Sequence, residues 1–183
     1  MDGDDAFLVA DKQLDAQSYN TVLVDHYEPD PDGATDGNGN PVQIAVYRLP
    51  SWADCTMRSW LNGYGADKNV DKVYYNSDNF IDRAFTNTEK NAIKTTDLPN
   101  DVQDKVFLLS REDLTNKEYG FFETNGQDKA RELAPTSYAA RTRDNDGNNI
   151  NYKYGWWLRS DAAVENGLVG VSYVYLGQWV EVL

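Results

Sequence analysis

Two stretches of the chain carry oxygen donors at spacings suited to a hard cation. Asp30, Asp32, Asp36 and Asn38 alternate through PDPDGATDGNGNP (29–41), and Asp144, Asp146 and Asn148 repeat the alternation around Gly147. Carboxylates and amide carbonyls on a flexible loop are the ligands calcium takes, so calcium is the cofactor these residues suggest. Neither loop supplies the downstream bidentate glutamate of an EF-hand, and ordinary Asx–Gly hairpin turns account for the same residues. A second set is aromatic. Trp52, Tyr74, Tyr75 and Trp179 are candidate ligand-binding residues, and the tyrosine pair lies in a long polar segment, where a sugar ring or peptide can stack.

Other reactive groups have little to work with. His26 is the single histidine, with no second imidazole for a metal site and no G-x-S-x-G serine to activate, so it reads as structural or surface. Cys55 is the single cysteine, which excludes an intrachain disulfide and a four-cysteine zinc site, and its apolar surroundings in WADCTMRSW point to a buried, inert thiol. The glycines near Asn38 form a turn without a following helix to cradle phosphate. Thirty acidic residues always offer some carboxylate pair for glycoside hydrolysis, yet no spacing singles one out. The expectation is a protein that is not an enzyme.

The charge balance narrows the partners. Thirty acidic against 17 basic residues leave a net charge of -13, which repels nucleic acid and anionic lipid. No apolar run approaches the roughly 18 residues of a membrane span, and the start MDGDDAFLVADK lacks the basic and apolar regions of a signal peptide. Twelve Tyr, five Trp and 13 Gly describe the aromatic, turn-rich composition of extracellular recognition domains.

The elements that must position these residues alternate in type. Segments 7–10, 19–27 and 42–49 carry strand signals, with 29–41 as a long hairpin loop. Asp54 is placed to cap a helix on which Met57, Trp60, Leu61 and Tyr64 share a face. Segment 80–85 is helical, started by Ser77 or Asp78, and Thr86 with Glu89 has capping-box spacing for the next helix, so the two should pack closely. DKVFLLS (104–110) suits a central strand, Ser110 caps a helical turn, and 127–133 gives another short helix. Segments 155–160, 167–176 and 178–182 are strands, with Gly177 as a turn. Of the adjacent Trp156 and Trp157, which face opposite sides, at least one belongs to the core. Arg58 and Arg159, set among apolar residues, anchor buried carboxylates or backbone carbonyls, and truncating Arg159 should destabilise the fold. The layout is a single α+β domain over 1–183, with strands at both ends meeting in one twisted, mainly antiparallel sheet.

MRSWLNGYG (57–65) and YGWWLRSD (154–161) together resemble the signature of an uncharacterised bacterial domain family of secreted and surface proteins, with LRxWLN and WWLRS motifs and a C-type-lectin-like fold. The resemblance covers about 51–180 and includes EKNAI, DKVFLLS and PTSYA in the family's order. Two departures stand out. The closing Gly-Val-Arg-Pro strand is missing, so the last strand is divergent or the chain is a fragment of a longer protein; and GYGADKNVDKVYYNSDN (63–79) is longer than the pattern. The family is distantly similar to the formylglycine-generating enzyme, whose chemistry uses two cysteines and copper; Cys55 alone does not supply it. The resemblance implies an extracellular or cell-surface recognition module binding a glycan or a cell-surface protein, with no nucleic acid and no direct membrane insertion. The alternatives are a non-catalytic spacer domain of a larger surface protein and a carboxylate-dependent hydrolase.

Overall fold

The structure is a computed structural model that describes residues 5–22, 24–47, 51–122, 128–141, 155–165, 168–175 and 178–182. It is a mixed α/β arrangement of short helices and small antiparallel sheets, and its contacts divide it into two units. One gathers Met1–Gln17, Leu108–Ser160 and Val171–Val182; the other is mainly Ser18–Phe107, with Asp161–Gly170.

In the second unit, β1 (Val24–Pro29) pairs antiparallel with β2 (Gln43–Tyr47) as a two-stranded sheet. The α1 helix (Thr56–Asn62) follows a 3-10 turn at Trp52–Asp54. Its cap is Cys55, whose sulfur accepts from the Arg58 amide at 3.4 Å, rather than the expected Asp54. Met57, Trp60 and Leu61 are buried as their spacing predicts, whereas Tyr64 lies beyond the helix end. Gly63 ends the helix in the left-handed region at φ 70°, and a Cβ there would meet the Asn79 amide nitrogen at 2.9 Å, so this position requires glycine twice over.

The α2 helix (Phe80–Ala84) starts from Asn79, not from Ser77 or Asp78: the Asn79 carbonyl oxygen accepts from the Asp82 amide at 2.9 Å. Phe80 bridges the Trp60 ring of α1, at 5.5 Å between centroids, and Phe85, at 6.1 Å. The α3 helix (Asn87–Ala92) carries the expected capping box, with the Thr86 amide donating to Glu89 at 2.7 Å, and Lys90 ties it to Asp82 of α2. Next come β3 (Thr96–Leu98) and β4 (Val102–Asp104), joined through Asn100 and Asp101, both at positive φ, which short-side-chain Asn and Asp tolerate best.

The first unit has its own core of Leu109, Leu114, Phe121, Leu158 and Val174, with Phe7, Tyr119 and Trp156 packed against it. Ser110 caps the turn Asp113–Thr115 reciprocally, its hydroxyl accepting from the Asp113 amide while Asp113 accepts from the Ser110 amide at 2.8 Å. Arg131 and Asp128 are wholly buried, and the guanidinium donates to the Leu114 and Phe122 carbonyls at 2.7 and 2.9 Å. In place of the helix expected at 127–133 there is a 3-10 turn, Lys129–Arg131, capped by Asp128. The chain closes with β5 (Gly155–Glu165), β6 (Leu168–Tyr175) and β7 (Gln178–Val182), a three-stranded sheet in that order.

Three strand expectations need correction. Segment 7–10 is not a strand, and β1 and β2 form a sheet separate from β5 to β7, so the described strands at the two ends do not share one sheet. DKVFLLS contributes only Asp104 to a ladder. Side chains serve its backbone instead: Asn62 accepts from the Lys105 and Val106 amides at 3.1 and 3.0 Å and donates to the Val106 carbonyl at 2.8 Å. In the first unit the Arg159 side chain donates to the Leu108 carbonyl at 2.8 Å. The Gly177 turn and residue 127 lie outside the described residues.

Arg159 also pairs with Asp113, their side chains 10% and 19% exposed. Arg159→Ala removes both bonds, and urea unfolding should show a loss of about 2–3 kcal/mol, below the full cost of breaking a wholly buried pair because both groups keep some solvent. A midpoint within error of the parent would remove Arg159 from the fold's supports.

Candidate functional site

Trp52 is not a surface platform. It is 6% exposed, and its indole nitrogen donates to Asp104 at 2.9 Å. Asp104 has no exposed surface and gathers three donors: Trp52, the Tyr64 hydroxyl at 2.9 Å and the Arg58 Nε at 2.9 Å. Arg58 also lies 5.1 Å from the centroid of the Tyr64 ring. Burial, and then the adjacent Asp104 charge, push the Tyr64 hydroxyl up to about 12, so it stays a proton donor to the carboxylate at neutral pH. Arg58 and Tyr64 of the 57–65 motif are thus committed to holding Asp104, and Asn62 of the same motif holds 105–106.

The long segment after this motif is built around two buried asparagines. Asn69 accepts from the Val73 amide at 2.9 Å and donates to the Val73 carbonyl at 2.8 Å. Asn79 donates to the Tyr75 carbonyl at 2.7 Å, and the Tyr75 amide donates to the Tyr64 carbonyl at 3.1 Å. Tyr74 therefore sits between two residues fixed by backbone bonds, while its own side chain is 76% exposed. Tyr75 is half-buried, and burial followed by the Asp71 charge raises its hydroxyl above the usual tyrosine value. Of the tyrosine pair, one anchors and one faces solvent.

Two residues before Tyr74, Lys72 has φ 56° and lines a shallow cleft of about 400 Å³ in which Asp54, Arg58, Asp67, Lys68 and Asp101 alternate with apolar Val70 and Val102. The charged groups of this cleft are suited to hydrogen bonding, and Tyr74 does not line it.

The hairpin loop puts its carboxylates to use in turns. Asp36 accepts from the Asn38 and Asn40 amides, both at 2.9 Å, and these bonds hold its carboxyl below the usual carboxylate range. Asp30 accepts from the Asp32 amide at 2.9 Å. Among the described residues, no three His, Cys, Asp or Glu side chains gather as a metal-binding group, and Asp30, Asp32 and Asp36 are not brought together as one. Asp144 and Asp146 lie outside the described residues; Trp179 is on β7, in register with Val174 on β6, and its side chain is not described. Cys55 is wholly buried, and burial pushes its thiol up to about 12, which keeps it protonated at neutral pH. His26 is exposed beside Asp25 at 3.1 Å and Glu28 at 3.8 Å.

Asn69, Asn79 and Asp104 were not singled out by sequence reasoning. The two asparagines each bond the backbone four residues away, one forward and one backward, a local pattern that many surface asparagines also match. Asp104 offered one signal, a carboxylate at the head of an apolar run.

A family profile described as Domain of unknown function (DUF6273) matches residues 20–179. No curated protein and no solved structure matches the chain.

Asn79→Ala leaves the Tyr75 carbonyl and the Asp82 amide without their side-chain partner. Amide hydrogen exchange should speed up across residues 73–82, with about 1–3 kcal/mol lost in global stability. Unchanged exchange in that segment would mean that Asn79 does not pin it.

Proposed function

We propose that this chain, which belongs to the DUF6273 family of domains of unknown function, is a non-catalytic recognition module that uses the loop around Tyr74 to bind a glycan or a surface protein. The observation that carries this reading is the pinning of Val73 and Tyr75 by buried asparagines on either side of a 76% exposed ring. A ring carried on backbone that is fixed before the ligand arrives leaves only its own side-chain torsions to be ordered on binding, which favours affinity. The cleft lined by Lys72, two residues earlier in the chain, offers carboxylates and ammonium groups able to bond hydroxyls.

The scaffold is read as C-type-lectin-like from the resemblance of the 57–65 and 154–161 motifs, with the separate β1–β2 hairpin as an addition to that pattern. An extracellular or cell-surface location accords with the aromatic, turn-rich composition. One observation favours the second reading, a spacer domain without ligand: Arg58, Asn62 and Arg159, all in the family motifs, spend their donors on internal bonds.

A glycan and glycopeptide array probed with the parent and with Tyr74→Ala, in calcium and chelator arms, separates these readings. Binding is expected in both arms and should fall about tenfold in Tyr74→Ala, as loss of one stacked ring implies, with the unfolding midpoint unchanged. Calcium-dependent binding would move the site to the Asp-rich loops, and a blank array in both arms would favour the spacer.

A further inference from the structure

The cleft that Lys72 lines is built from three stretches of one unit, 53–58, 67–72 and 101–102. The buried part of its lining is largely uncharged. Val102 and Asn69 are 6% and 2% exposed, Ala53 and Val70 are partly buried, and Arg58 is committed to Asp104 and to the Ala53 carbonyl. These stretches are also bonded to one another before any ligand arrives. The Val70 amide donates to the Asp54 carbonyl at 2.8 Å, and the Ser59 hydroxyl of α1 donates to the Lys68 carbonyl at 3.3 Å.

The exposed part of the lining carries charges of both signs, Asp54, Asp67 and Asp101 against Lys68 and Lys72. Among the described residues, none of these five side chains has a hydrogen-bond or ion-pair partner. Elsewhere in the unit, opposite charges that can meet do so, as in Arg58–Asp104, Arg83–Asp78 and Lys90–Asp82. Around the cleft no ammonium group reaches a carboxylate, and the three carboxylates do not gather as a metal-binding group. A simple anion in this cleft would meet the carboxylates, and a simple cation the ammonium groups. A molecule that carries both charges satisfies both sets.

Two of the charges sit on backbone that favours glycine: Lys72 and Asp101 both have φ 56°. Aspartate eases that conformation with a short polar side chain, and lysine does not, so glycine would be the less strained residue at position 72.

We infer that this cleft binds a small zwitterion, a free amino acid or a short peptide with free ends. Its carboxylate meets Lys68 and Lys72, its ammonium group meets the aspartates, and its aliphatic part lies over Val70 and Val102. The volume of about 400 Å³ falls within the range of small-ligand pockets. The site rests on the cleft and not on Tyr74, so it stands or falls independently of the array result.

The test is two-dimensional NMR of the isotope-labelled full chain titrated with dialanine, with dialanine capped at its amino end, its carboxyl end or both, and with alanine. Saturable shifts are expected at the amides of the residues that line the cleft, with dialanine bound at least about fivefold more tightly than either singly capped form. Alanine binding as tightly as dialanine would identify a free amino acid as the ligand, and weaker alanine binding a peptide; both support the site. Lys68→Gln/Lys72→Gly should bring dialanine down to the affinity of its carboxyl-capped form, with the urea midpoint unchanged or raised because glycine relieves the backbone at 72. Asp54→Asn/Asp67→Asn/Asp101→Asn should bring it down to the affinity of the amino-capped form, and Tyr74→Ala should leave it unchanged. Equal affinity for dialanine and its doubly capped form, saturable shifts only away from the cleft, or no saturable shifts at all would overturn the inference. So would a lysine variant that binds dialanine as well as the parent.

Discussion

A carboxylate with no exposed surface is tolerable only if donors replace the water it has lost, and Asp104 meets that constraint through Arg58, Trp52 and Tyr64. The three donors come from a 3-10 turn, from α1 and from the segment after α1, while Asp104 itself ends β4. One charge thus fixes four stretches of chain that regular secondary structure leaves unconnected. The helix involved has only seven residues, too short to be stable alone, so its position depends on such tertiary bonds and on the burial of Met57, Trp60 and Leu61.

The same economy recurs through the molecule. Where hydrogen-bonded ladders are missing, side-chain amides and guanidiniums bond the backbone: Asn62 holds 105–106, Asn69 and Asn79 hold the segment around Tyr74, and Arg131 holds the 114 and 122 carbonyls. Such bonds allow irregular chain to be rigid without being regular. They also let the 63–79 segment present one exposed ring on a fixed base, which is the geometry a recognition loop needs.

How much of this was readable in advance follows from how local each signal is. The Thr86–Glu89 box, the apolar face of Met57, Trp60 and Leu61 and the strand 178–182 depend on neighbours within a few residues, and all appear where the sequence places them. The anchoring roles of Arg58 and Arg159 were legible because a guanidinium among apolar residues must find a partner. Helix caps shifted by one or two residues, to Cys55 and Asn79, since several polar residues competed for each start. DKVFLLS looks like a central strand by composition, yet whether an apolar run joins a ladder depends on a partner strand that composition does not name. The burial of Trp52, a candidate ligand-binding residue by sequence, was not legible because its partner, Asp104, is 52 residues away. Tyr74 and Tyr75 were found as a pair, but only the long-range bonds of the segment decide which one faces solvent.

The claim most exposed to test is that Asp104 and Arg58 act as one unit on which the surrounding segments depend. A double-mutant cycle with Arg58→Met and Asp104→Asn, read by urea unfolding, addresses it directly. Each single change is expected to cost about 3–5 kcal/mol by leaving a buried group without its partner, and the double change should cost at least about 2 kcal/mol less than their sum. Additivity within about 0.5 kcal/mol would contradict the coupling and leave the two residues as independent contributors.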